Sequence, residues 1–130
     1  MSGTEEVIAY RLARAHETLE EARLMAESGH WNTCVNRLYY ACFYAATALL
    51  LQEGFASAKH SGVRGFLNQH FVKTGVLEQE LGALYNELFD SRNESDYRDL
   101  LRLDADRVQP LLPRAGRFVE AVDGLIRAKP

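Results

Sequence analysis

Three groups of residues in this 130-residue chain have side chains suited to chemistry. The first is Asn36-Arg37-Leu38-Tyr39-Tyr40 with Phe43 and Tyr44. On a helix this spacing sets an arginine in an aromatic stripe, where the guanidinium can hold a phosphate while the rings stack on bases. The same face also suits core and dimer packing, with the tyrosine hydroxyls satisfied at its rim. The second group lies in residues 54–77, which carry Lys59, Arg64 and Lys73 beside His60 and His70 and contain no Asp or Glu. Such a window can meet an anionic ligand, or it can be a solvated basic loop with nothing bound. The third is Ser91-Arg92-Asn93-Glu94-Ser95-Asp96-Tyr97-Arg98. Arg92 and Asp96 stand four apart, so they either pair along a helix or face a cleft together. A surface pair of that kind contributes only ~0.3–0.5 kcal/mol, and the segment is equally readable as a helix end.

The strongly signalled enzyme motifs are missing: no P-loop, GxGxxG, HExxH, nucleophile elbow or zinc-type Cys/His spacing occurs. Neither a metal nor another cofactor is expected. His16 and His30 read as surface or helix-end residues. Cys34 and Cys42 are separated by ~12 Å of helical rise, too far for a disulfide, and read as reduced, half-buried small residues.

Hydrophobic residues at 47% and charged residues at 25% are globular values, and the length suits a single domain over residues 1–130. The net charge is −3, which speaks against a broad cationic surface for nucleic acid. That charge is unevenly spread, because residues 54–77 carry +3 and the rest −6. Ala45 to Leu51, interrupted by Thr47, is an apolar run far short of the ~18 residues of a membrane span. With Glu5 and Glu6 near the start in place of a basic n-region, a secretory signal is not expected, and a cytoplasmic location without membrane association is.

These groups need helices to position them. The first block places Ile8, Leu12, Ala15, Leu19, Ala22 and Ala26 at three- and four-residue steps, starts at a capping box Ser2-Gly3-Thr4-Glu5 and ends at Gly29. A second runs from Asn32 to Gln52 with Val35, Leu38, Cys42, Ala45 and Leu49 on one stripe, ending at Gly54. A short helix is expected over 61–72, and a third long one from Glu78 to Asn93 with Leu77, Leu81, Leu84 and Leu88 as its seam. Asn93, Ser95 and Asp96 weaken its continuation. Asp104 can cap the last block, in which Pro110 and Pro113 predict a kink or delayed start. The pattern is all-α: an antiparallel up-and-down four-helix bundle with a short extra helix.

The order of the segments carries a resemblance. Ser28-Gly29-His30-Trp31 through Arg37-Leu38-Tyr39-Tyr40-Ala41-Cys42-Phe43-Tyr44-Ala45-Ala46, then Lys59-His60-Ser61-Gly62-Val63, Phe71-Val72-Lys73-Thr74-Gly75 and Arg92-Asn93-Glu94-Ser95-Asp96-Tyr97, strongly resembles the stand-alone prokaryotic HEPN domain family. The resemblance implies a helical bundle, a homodimer and a minimal nucleotidyltransferase as partner in a toxin and antitoxin pair. Many members are metal-independent ribonucleases using an arginine followed, four to six residues on, by a histidine. The arginine would hold the scissile phosphate and the histidine would move protons. Arg92 matches that arginine, but Tyr97 stands where the histidine belongs, and no histidine follows His70. With an ordinary pKa of ~10, tyrosine is a poor base near neutrality.

The favoured reading is therefore a module that binds nucleotide or RNA and is non-catalytic or weakly catalytic, with Arg37, Tyr40, Lys59, His60, Arg64, Lys73, Arg92 and Asn93 as binding residues. The alternative is an active endoribonuclease toxin using Arg92, Asp96 and Tyr97, with His60 or His70 supplying the missing imidazole. A third reading is a helical dimerisation module alone. The resemblance further implies that a partner nucleotidyltransferase could modify Tyr97, blocking the phosphate site by bulk and charge. Mass spectrometry after coexpression checks this, and an unmodified Tyr97 rejects it.

Overall fold

The computed structural model describes residues 3–57, 59–97 and 102–129, the side chains of 93–97 excepted. Helices α1 (Gly3–Glu27), α2 (Trp31–Gln52), α4 (Gln79–Tyr97) and α6 (Leu111–Ala128) form the bundle, joined by the shorter α3 (His60–Leu67) and α5 (Ala105–Val108). No strand occurs among the described residues. The chain is an all-α, antiparallel bundle as its periodicity predicts.

α2 is the central helix and packs against α1, α4 and α6, with α3 and α5 also in contact with it. Its position explains its composition. Val35, Leu38, Cys42, Ala45 and Leu49 are buried as the stripe requires, but Tyr39, Ala41, Ala46, Ala48 and Leu50 are buried as well. A helix enclosed on most sides is apolar on most sides. Over its 22 residues α2 therefore reaches the length and apolar content of a membrane span, although no uninterrupted run does, and 61% of that apolar window is buried in the bundle.

Two glycines reverse the chain around α2. Gly29 has φ of +74°, its N–H donates to the Ala26 carbonyl, and the His30 N–H reaches back to Met25 at 2.9 Å. Gly54 repeats the arrangement with φ of +83°, and the Phe55 N–H bonds to the Leu50 carbonyl at 3.0 Å. Both caps need the left-handed conformation that glycine adopts without strain.

Several expectations are corrected. Both cysteines are fully buried rather than half-buried, and they are unbridged. α4 continues four residues past Asn93 to Tyr97, because weak local propensity does not stop a helix already docked through Leu81, Leu84, Tyr85 and Leu88. The short helix is α-helical only to Leu67, and Asn68–Val72 forms a π turn. From Val63 to Phe71 an ideal α-helix drifts by about 80°. The wider turn winds less per residue and brings Phe71 back toward the buried face of Val63 and Leu67. The delayed start before α6 takes the form of a separate helix. Asp104 accepts a hydrogen bond from the Arg107 N–H at 3.0 Å to cap α5, and α6 begins after Pro110. Pro113 falls in its first turn, where a missing N–H removes no helical bond.

Candidate functional site

The half-buried face of α2 carries Arg37, Tyr40, Phe43 and Tyr44, three or four residues apart and therefore one above another. Tyr39 projects beside them into the core. Against this face α3 presents His60, its first residue. The Lys59 N–H, just before it, donates to Ser57 Oγ at 3.1 Å, which fixes the chain's entry into the helix. The C-terminal half of α4 delivers Arg92.

Three distant stretches of sequence thus meet on two tyrosine rings. Arg92 Nη2 donates to the Tyr40 hydroxyl at 3.3 Å, and its guanidinium carbon lies 5.3 Å from the centre of the Tyr39 ring and 5.5 Å from that of Tyr40. His60 Nδ1 is 2.7 Å from the Tyr39 hydroxyl, and its ring stacks on Phe43 at 4.3 Å with planes 11° apart. The edge of the imidazole also meets Tyr40, with centroids 5.8 Å apart. Of the two histidines in the basic window, His60 is the one brought to the arginine. His70 packs on Phe66 at 4.2 Å instead.

Burial, then the nearby Arg92 charge, lowers the His60 pKa below its ordinary value, so the imidazole is neutral at physiological pH. Burial pushes the Tyr39 phenol up to about 12, which keeps its proton in place. A protonated Tyr39 donating to Nδ1 leaves the proton of a neutral His60 on Nε2. In the opposite tautomer Nδ1 donates to the phenol and Nε2 is free to accept a proton; both arrangements satisfy the observed contact.

The remaining cations are less exposed to a ligand than their sequence window suggests. Arg64 lies 4.1 Å over the Phe89 ring and pairs with Asp90 at 3.6 Å. Arg37 bonds Asn36 and reaches Glu21 at 3.2 Å while covering Tyr40. The acidic partner of Arg64, Asp90 of α4, lies outside the window, so the window's +3 is partly neutralised in the fold. Lys59 and Lys73 are exposed. Lys59 adjoins His60, whereas Lys73 lies beyond the π turn. The backbone of Asn93, Asp96 and Tyr97 is helical in α4, and their side chains lie outside the described residues.

Tyr39 and Phe43 belong to the aromatic run expected to stack on bases, though not to the binding residues chosen from it, and they hold His60 from two directions. Their adjacency to Tyr40 in the aromatic run was the available signal. Its connection to His60 runs through a contact across 21 positions that spacing does not encode. Among the described residues no group of three or more His, Cys, Asp or Glu could hold a metal ion.

Comparison with known proteins agrees with this arrangement of helices. The HEPN domain model matches residues 8–125. A UPF0332 protein of Thermotoga maritima is 40% identical over 126 residues, covering 97% of this chain and 96% of the relative. A protein of Methanocaldococcus jannaschii named as a candidate toxin is 31% identical over 108 residues, covering 83% and 74%. A UPF0332 protein of Gloeobacter violaceus is 36% identical over 111 residues, covering 82% and 86%. With the family model matched from α1 into α6, and the arginine of the resemblance seated on the aromatic face of α2, the chain belongs to the HEPN family.

Proposed function

We propose that this chain is a nucleotide- and RNA-binding HEPN module of a toxin and antitoxin pair, cleaving RNA slowly at most. The observation that carries this reading is the convergence of Arg92 and His60 on Tyr39 and Tyr40. A guanidinium beside aromatic faces recognises a phosphate and its neighbouring base together. The candidate-toxin name of the archaeal relative supports the biological setting. In this reading two copies complete the site, a minimal nucleotidyltransferase is the partner, and the location is cytoplasmic.

One observation favours the endoribonuclease alternative. His60 supplies an imidazole near Arg92 in place of the one missing at position 97. Neutral at physiological pH, it has the protonation state of a general base for a 2′-hydroxyl, while Arg92 would stabilise charge growing on the phosphate. Metal-free incubation with mixed RNA decides between the two. The expected result is binding with negligible cleavage by the parent, and at least tenfold weaker binding by Arg92→Ala. Cleavage that is lost in both Arg92→Ala and His60→Ala selects the ribonuclease. Absence of RNA and nucleotide binding by the folded parent rejects both and leaves the dimerisation module.

A further inference from the structure

An open cavity of about 580 Å³ lies on the other side of His60, between α1, α2 and the stretch leading into α3. Phe43 and His60 belong both to its wall and to the cluster that holds Arg92. Tyr44 and Phe55 extend the aromatic lining, and Phe55 is itself braced by stacking on Phe66 at 4.0 Å. Tyr10, 67% exposed, stands at the rim. Arg11 also lines the cavity; it is half-buried, yet makes no hydrogen bond or ion pair among the described residues.

A cavity of this size falls in the range of small-ligand sites, which combine apolar and aromatic walls with a few polar groups. Much of the wall is flat rings, and the cation in it has planar donors with no partner among the described residues. Rings stack on any nucleobase, and an unpaired guanidinium takes a phosphate oxygen. A base enclosed in this way must be free of a complementary strand, since both of its faces and one edge are occupied.

We infer that this cavity is a subsite for one unpaired nucleotide of an RNA strand, adjoining the nucleotide whose phosphate meets Arg92. The base lies among Phe43, Tyr44 and Phe55, and Arg11 holds the flanking phosphate. His60 and Phe43 form the partition between the two subsites. This inference rests on the RNA-binding reading above and adds to it a preference for single strands.

The test uses the full chain and fluorescence-polarisation titration of a labelled twelve-nucleotide oligoadenylate, with an RNA duplex of equal length as comparison. Two variants address the cavity. Arg11→Gln removes a cation that bonds no other described residue, and Thr47→Met lengthens a lining side chain into the space. Arg92→Ala addresses the neighbouring phosphate site, and thermal melting checks that every variant folds. Binding to the single strand at least tenfold tighter than to the duplex is expected, with losses of fivefold or more in both cavity variants. If these two bind oligoadenylate like the parent while Arg92→Ala does not, the subsite is overturned and the Arg92 reading stands. Equal affinity for duplex and single strand overturns the unpaired base. A parent that binds neither RNA overturns the underlying reading, and the subsite with it.

Discussion

At the scale of single residues, the site is a matter of what surrounds two polar groups. His60 has a phenol on Nδ1 and a phenyl ring on one face, and burial followed by the Arg92 charge disfavours a second proton. Its imidazole is expected to titrate below the ordinary ~6.5 in an NMR pH series. Replacing Arg92 by Ala should move that midpoint upward, because the repulsive charge is gone. A midpoint at or above ~6.5 in the parent contradicts the account. The sign also fixes the linked stability: this group's contribution is complete above ~6.5 and declines as pH falls below it, where the unfolded chain takes up the proton first. Arg92 and the aromatic stripe were recognisable from residue types and spacing. Tyr39 as the partner of His60 was not, because nothing local relates positions 39 and 60.

At the scale of elements, function depends on how closely α3, its π turn and α4 approach α2. Gly82 marks a close approach of α4 to the π turn. A Cβ built there would lie 2.8 Å from Cγ2 and 3.0 Å from Cγ1 of Val72. Val72 closes the π turn and branches at Cβ, so it has little rotamer freedom with which to yield. Gly82→Ala should therefore destabilise the fold by ~1–3 kcal/mol in chemical denaturation, despite alanine's better helix propensity. An unchanged or raised midpoint would show that the turn moves aside freely. The C-terminal ends of α1 and α2 were legible because glycines end both helices and apolar residues keep helical period, whereas the expected capping serine, Ser2, lies outside the described residues. The π turn and the extension of α4 to Tyr97 were not. Both are decided by docking of Phe71 and of the leucine seam, which outweighs local preference.

At the scale of the whole molecule, charge limits the ligand. A chain of net charge −3, whose Arg37 and Arg64 already face Glu21 and Asp90, cannot coat a phosphate backbone. RNA binding should accordingly depend only weakly on salt, with a log–log slope of about −1 to −2 for two or three phosphates on a single strand. Titrations at several salt concentrations measure it, and a slope steeper than about −4 would require a far larger cationic surface. The bundle was determined by the sequence alone, since hydrophobic period, glycine caps and the lack of alternating strands are local properties that survive without tertiary information. So was the arginine of the resemblance, a matter of motif order. Which histidine joins Arg92, which cations are already neutralised, and that Arg11 has no partner among the described residues in its cavity were decided only by the tertiary structure. The physical reason is range: helical period relates residues three or four apart, whereas the site is made by contacts between helices whose register is set by packing around α2.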